Sequence, residues 1–223
     1  MQIKEKDFVE LDYTGILKES NEIYDTTIKS VAEKEQIFNP KMDYTPVIIC
    51  VGEKQLLNGI DARLVGKETG KEYEFDLKPD EAFGKKDSKL LKLMSTSQFT
   101  KQQIMPVPGL QINADGMMGI VRSVTGGRTF VDFNHPLAGK EVLYKVKVHK
   151  IITDDKEKIK SLMKLELKIK PEHVDFKEGI VHIESKMDIP KEFTDMLVDR
   201  IKELVPSVKG VKFEVKKEEK PKV

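Results

Sequence analysis

An α+β fold built in more than one unit is what the chain predicts, and three observations predict it. Short alternating strands dominate residues 8–77, with one short amphipathic helix near residue 60. That pattern is interrupted over residues 88–131 and resumes in an alternating run from Leu143 to Lys150. After Thr153 the character changes again, to strands flanking one long amphipathic helix. A length of 223 residues allows two or three domains.

Taken in order, Val9, Leu11 and Tyr13 face one way and Glu10, Asp12 and Thr14 the other, as in a half-buried strand. Gly15 to Asn21 reads as a turn, and Ile23 to Thr27 as a short second strand. Residues 29–45 are polar and mixed, with Asn39-Pro40, and read as an exposed bulge at a sheet edge. Val47 to Val51 is apolar and β-branched, a buried strand. Gln55 to Leu64 is a helix with Leu56, Leu57, Ile60 and Leu64 on one face, and Gly59 inside it calls for close packing. Tyr73, Phe75 and Leu77 alternate with acidic residues as a strand, which ends in the loop Pro79 to Gly84.

The interruption at 88–131 reads as a β-rich module. Ser97 to Gln103 is a short helix broken by Pro106 and Pro108. Gly119 to Val124 and Arg128 to Phe133 pair around a Gly126-Gly127 turn. Leu91, Leu93, Met94, Phe99, Ile104, Met105, Met117 and Met118 supply flexible apolar side chains, most of which are expected in the module's own core. Asn134-His135-Pro136-Leu137-Ala138-Gly139 is a tight turn. Behind it Tyr144, Val146 and Val148 alternate with Lys145, Lys147 and His149.

In the C-terminal part, Asp154 to Lys158 caps a short helix or linker. Leu165, Leu167 and Ile169 read as a strand and Ile180 to Glu184 as a second. Pro190 to Val205 is a helix whose stripe is Phe193, Met196, Leu197, Ile201, Leu204 and Val205. Val211, Phe213 and Val215 form the last strand. Residues 155–215 are therefore a β-β-α-β unit, and residues 216–223 a disordered charged tail.

Composition argues against several functions. Lys+Arg (39) nearly balance Asp+Glu (38), without the basic excess of a nucleic-acid binder. The lysines of the C-terminal unit interleave with glutamates, as on a solvated face. Cys50 is alone, which suits a reducing compartment, and no apolar run is long enough for a signal peptide or a membrane span. A cytoplasmic protein is expected. The four histidines show no metal-ligand spacing, and neither a phosphate-binding Gly motif nor Gly-x-Ser-x-Gly is present. No metal, cofactor or covalent nucleophile is expected.

Taken singly, Tyr13, Tyr144 and Phe83 are ordinary core aromatics, Asp25 is a turn cap, and Leu56, Leu57 and Ile60 are the core face of a helix. Taken together, several segments carry a resemblance. Val9 to Thr14, Tyr24-Asp25, Gly52 to Gly66, Gly70 to Leu77, Asp80 to Gly84 and Asn134 to Gly139 occur across residues 1–152 in the order found in FKBP-type peptidyl-prolyl isomerases. The chain resembles the archaeal long form and the bacterial SlyD group, which carry a chaperone domain inserted in the flap.

The resemblance implies an antiparallel half-barrel sheet around a short helix, formed by residues 1–87 and 132–152, with 88–131 as the inserted flap domain. It implies catalytic roles for Tyr13 and Asp25. It implies substrate contacts from Tyr24, Leu56, Leu57, Ile60, Phe83, Leu137, Ala138 and Tyr144, with the Leu57 backbone N–H fixing a substrate carbonyl. The implied activity is cis–trans isomerisation of X–Pro bonds in unfolded or partly folded chains, with chaperone activity from the insert. The alternative is a holdase with little turnover. Two positions depart from the family pattern: Ile60 stands where single-domain members have Trp, and Phe83 where Tyr is common. Weak macrolide binding is therefore expected. A His- and Cys-rich tail like that of the SlyD group is not read here. The C-terminal unit offers a free sheet edge and a helix for homodimerisation.

Overall fold

Among the described residues, backbone hydrogen bonding organises the chain into three sheets, of which the three-stranded one is mixed. The computed structural model of the chain describes residues 1–114, 116–169, 171, 173–185 and 190–215. Two compact units result, one of Met1–Asp76 with Leu143–Val223 and the other of Leu77–Val142.

The first unit opens with β1 (Phe8–Leu17) and β2 (Ile23–Thr26). β1 is long enough to serve two partners. Its first half pairs with β3 (Val47–Cys50), Phe8 opposite Cys50, and its second half pairs with β2, Gly15 opposite Asp25. Gly15 to Asn21 is therefore not all turn: the strand runs on to Leu17, and opposite the Gly15–Ile16 step β2 carries one extra residue, Tyr24. Between β2 and β3 lies α1 (Lys29–Lys34), where the sequence read only an exposed bulge. A six-residue helix with Ala32 as its one buried residue is too short to show an apolar period.

α2 (Asn58–Leu64) begins three residues later than expected, so Leu56 and Leu57 belong to the approach loop, with Leu57 as the N-cap residue. Gly59, Ile60, Asp61 and Leu64 are its buried positions. β4 (Glu72–Leu77) buries Phe75 and Leu77.

In the second unit, β5 (Leu91–Ser95), β6 (Gln111–Ala114), β7 (Met117–Thr125) and β8 (Arg128–Asp132) form a four-stranded sheet in the order β5-β8-β7-β6, with α3 (Thr96–Lys101) following β5. The Gly126-Gly127 turn joins β7 and β8 as expected, both glycines at positive φ. β5 and β6 lacked a readable pattern because they carry little alternation: Leu93 on β5 is exposed, and β6 buries only Ile112. The core of the sheet is Phe99, Ile112, Val121 and Val131. Leu93, Ile104, Met105, Met117 and Met118 are exposed, so most of the flexible side chains expected inside lie outside.

β9 (Val142–Ile152) returns the chain to the first sheet, whose order is β2-β1-β9-β4 with β3 on β1. α4 (Asp155–Leu162) follows, its Asp154 N-cap accepting from Glu157 N–H. Residues 165–169 are not a strand. Met163–Leu167 continues α4 as a π-helical turn, closed by Lys168 in the left-handed region. Lys164, Leu165, Glu166 and Leu167 are good helix formers contiguous with a capped helix, and that outweighs an alternation three residues long.

The first strand of the C-terminal β-β-α-β order is instead β10 (His173–Lys177), antiparallel to β11 (Ile180–Ser185). α5 (Lys191–Leu204) then crosses over to β12 (Gly210–Val215), which pairs parallel with β11. α5 buries Leu197, Ile201 and Leu204, whereas Phe193 and Met196 are half-exposed. These buried residues share one core with Phe8 of β1 and Cys50 of β3. The expected tail at 216–223 lies outside the described residues.

Candidate functional site

β1, β2 and β9 are neighbours in one sheet, and the register shift between Gly15 and Ile16, which leaves Tyr24 opposite no residue of β1, lets the adjacent Tyr24 and Asp25 both meet residues of β1 and β9. Tyr13 comes from β1, Tyr24 and Asp25 from β2, and Tyr144 from β9. Tyr13 and Tyr144 are tilted rings with centroids 5.7 Å apart, and Tyr24 meets Tyr144 edge-on at 6.1 Å. The Tyr13 hydroxyl donates to Asp25 Oδ2 at 3.1 Å. All four expected residues of this group are brought together.

Gly15 makes that convergence possible. A Cβ at this position would lie 2.8 Å from Tyr24 Cζ and 3.0 Å from Tyr144 Cζ, closer than carbon atoms pack. In the sequence alone the residue reads as the start of a turn. The signal that could have found it is a glycine inside a strand, which marks close approach. Hydroxyls lock the strand crossing: Thr26 donates to the Tyr13 carbonyl at 3.1 Å, and Tyr13 N–H donates to Thr27 Oγ1 at 3.0 Å.

The electrostatics of the group follow from burial. It pushes the Tyr13 and Tyr144 phenols far above their ordinary range and Tyr24 to about 12, so all three stay protonated near neutrality. Burial also raises the Asp25 carboxyl above its ordinary value, opposed by hydrogen bonds from Tyr13 and the Thr26 backbone. The result is an aromatic wall with one carboxyl held in it.

Leu56, Leu57 and Ile60 occupy the approach to α2 and its first turn. Ile60 is fully buried, and Leu56 and Leu57 are half-buried. Asp61, itself buried, accepts from Gly52 N–H at 2.9 Å and Lys54 N–H at 2.8 Å, which fixes the approach loop. Among the described residues the Leu57 N–H donates to nothing, while its carbonyl accepts from Ile60 and Asp61.

Phe83, Leu137 and Ala138 lie in the second unit. Phe83 stacks flat on His135, centroids 4.7 Å apart, and His135 Nδ1 accepts from Leu137 N–H at 3.2 Å. His135 is thus a shaping residue of its turn. Asn134 is buried and ties this turn to the loop that follows Gly84: its amide accepts from Asp87 N–H at 2.7 Å and donates to the Asp87 carbonyl at 3.1 Å and Asp132 at 2.9 Å. Ala138 is buried and Leu137 half-buried. Among the described residues no group of His, Cys, Asp and Glu side chains could hold a metal ion, and no helix is long and apolar enough to cross a membrane.

Residues 1–100 match the family model for FKBP-type peptidyl-prolyl cis-trans isomerase, and residues 92–137 match one described as FKBP26, IF domain. The chain is 32% identical over 149 residues to the short-type peptidyl-prolyl cis-trans isomerase of Methanocaldococcus jannaschii, covering 67% of this chain and 94% of that one. It is 30% identical over 110 residues to the FKBP-type 16 kDa peptidyl-prolyl cis-trans isomerase of Escherichia coli, covering 48% and 74%. It is 27% identical over 150 residues to the SlyD isomerase of Aeromonas hydrophila, covering 66% and 64%. On these matches, the chain belongs to the FKBP-type peptidyl-prolyl cis–trans isomerases.

Proposed function

We propose that the chain accelerates cis–trans isomerisation of X–Pro bonds in unfolded or partly folded polypeptides, with Tyr13 and Asp25 as its catalytic residues. The observation that carries this reading is the Tyr13–Asp25 hydrogen bond set among the rings of Tyr24 and Tyr144. Amide resonance gives the bond a rotational barrier of about 18–20 kcal/mol, and uncatalysed X–Pro exchange takes roughly tens to hundreds of seconds. The planar amide separates charge between oxygen and nitrogen, and water supports that separation. The twisted amide has less of it. An aromatic surface therefore favours the twisted form over the planar one.

Tyr13 and Asp25 orient the peptide beside the twisting bond, and the Leu57 N–H fixes a flanking carbonyl. Tyr24, Leu56, Ile60 and Tyr144 supply substrate contacts in the first unit, and Phe83, Leu137 and Ala138 are contact candidates within the second. The reaction needs no cofactor and no proton exchange with solvent. Asp25→Leu and Tyr13→Ala are each expected to slow tetrapeptide exchange, read by NMR, by roughly 10- to 100-fold, or about 1.4–2.7 kcal/mol of transition-state stabilisation. Wild-type rates in both would sink the assignment.

The second unit supports a further role. Leu93 (60% exposed), Met105 (82%) and Met118 (58%) are large, flexible and open to solvent, as suits contact with chains of varied sequence. We infer that they bind unfolded polypeptide, which gives the protein chaperone activity. Retained client binding without turnover would make it a holdase instead. Homodimerisation is proposed through α5, whose Phe193 and Met196 are half-exposed. A monomer mass by light scattering would exclude it.

A further inference from the structure

The loop from Gly52 to Leu57 leaves β3 and delivers Leu56 and Leu57 to the start of α2. Its backbone is unusual, with Gly52 at φ 94° and Lys54 at φ 55°. Asp61 and Gln55 hold it from within, the Gln55 Oε1 accepting from Cys50 N–H at 2.7 Å.

Further polar contacts of the loop come from the C-terminal part of the same unit. Arg200 of α5 donates to Glu53 Oε2 at 2.6 Å, and these side chains are only 28% and 16% exposed. Glu166, in the π-helical turn after α4, stands 3.5 Å from Gln55 Nε2 and 3.6 Å from Arg200 Nε. The Arg200–Glu53 bond is the close contact, and Glu166 backs both partners at longer range. The same turn also reaches the loop before β3, where Lys164 Nζ lies 3.0 Å from Asp43 and 3.4 Å from Thr45. One wide turn and one arginine thus brace both loops that flank β3.

We propose that Arg200, backed by Glu166, is a positioning residue of the isomerase site, acting through Glu53 and Gln55 to fix the loop that presents Leu56 and Leu57. This rests on the substrate-binding role given above to Leu57. Nothing among the described residues accepts from the Leu57 N–H, so its direction follows from the loop that leads into it and from the first turn of α2, which holds the Leu57 carbonyl. A displacement of about 1 Å in such a group can cost roughly 10²-fold in rate. A half-buried ion pair stripped of one partner leaves the other uncompensated, and the loop must move to rehydrate it.

The test uses the full chain with Arg200→Met, Arg200→Lys, Glu166→Gln and Glu203→Gln, measuring tetrapeptide exchange and the backbone amide spectrum. Arg200→Met is expected to lower kcat/KM about 10-fold. The loss falls mainly in KM, because a carbonyl hydrogen bond is made in ground state and transition state alike. The Leu56 and Leu57 amides shift and the Tyr13 and Tyr144 amides do not. Arg200→Lys recovers part of the loss by pairing with Glu53. Glu203 is half-exposed and pairs with Arg200 and Lys6 but with no residue of the loop, so Glu203→Gln leaves kcat/KM within about twofold. Should Arg200→Met not fold, Glu166→Gln decides through the same two readouts. Wild-type KM with unmoved Leu56 and Leu57 amides in the folded variants would overturn the positioning role and leave the isomerase reading intact. A wild-type protein without turnover, or one whose Leu57 amide ignores added peptide, would overturn the site and the positioning role with it.

Discussion

The phenol group on the first sheet and the methionine surface of the second unit are both apolar, and they are built in opposite ways. Tyr13, Tyr24 and Tyr144 are rings in fixed mutual contact, with Asp25 hydrogen-bonded among them and Gly15 sized to admit them. Met105, Met117 and Met118 are exposed unbranched chains free to change rotamer. A rigid wall can prefer one shape of one bond. A soft surface can hold many sequences and prefer none. The pairing suits a catalyst whose target bond is constant while the surrounding chain is not.

Removing the soft surface tests this contrast most severely. Replacing residues 88–131 by a short turn is expected to leave tetrapeptide exchange within a few-fold of wild type. Catalysis of a proline-limited refolding reaction should fall about 10²-fold, because a tethered binding module raises the local concentration of client by that order. Equal losses in the two assays would erase the distinction between the regions.

Altering the rigid wall comes next in size. Gly15→Ala puts a methyl group into the rings of Tyr24 and Tyr144, and overpacking of this kind costs about 1–3 kcal/mol of stability. Tetrapeptide kcat/KM is expected to fall about tenfold as the rings move apart, while client binding, measured by suppression of aggregation, stays constant. A variant with wild-type turnover would show that the wall need not be rigid.

Smaller still is the effect of one hydroxyl. Phe83 lacks the hydrogen-bonding group of a tyrosine, which is worth about 1 kcal/mol to a bound carbonyl. Macrolide binding by calorimetry is expected to be weak and to tighten about fivefold in Phe83→Tyr. Tight binding by the wild type would contradict the roles given to Phe83 and Ile60.

Much of the wall was legible because strand alternation and short motifs are local. Tyr13, Tyr24-Asp25 and Tyr144 could be placed on strands from their neighbours, and the strands then aligned them. Gly15 was not legible, because a glycine at the end of an alternating run reads as a turn until the pairing of β1 with β2 is known. The Arg200–Glu53 bond joins residues 147 apart in sequence and leaves no local pattern. The π-helical turn at Met163–Leu167 was hidden for another reason: Leu165, Leu167 and Ile169 mimic a strand, and only continuity with α4 resolves them. The methionine surface was misjudged because apolar composition alone does not say which side of a thin sheet is wet.

The smallest predicted effect separates the two regions by the sign of a pH dependence. Asp25, on the first sheet, has its carboxyl raised above its ordinary value near 3.8 by burial that Tyr13 and Thr26 only partly offset. Asp132, in the second unit, is also buried. Bonds from Asn134 and Arg122, with the nearby charge of Lys86, outweigh that burial and hold its carboxyl below the ordinary value. A raised carboxyl contributes stability that is complete below its unfolded value and is lost as pH climbs through the folded one. A lowered carboxyl contributes stability present above the unfolded value and lost as pH falls through the folded one. Denaturant unfolding of wild type, Asp25→Asn and Asp132→Asn from pH 3 to 7 should therefore show opposite trends. The wild type loses ground to Asp25→Asn as pH rises above about 4, and loses its advantage over Asp132→Asn as pH falls below about 4. Parallel curves for the two variants would mean that Asp25 is as well solvated or as well paired as Asp132. An aromatic wall enclosing such a carboxylate would then be no drier than an ordinary surface, and the preference for a twisted amide would lose its physical basis.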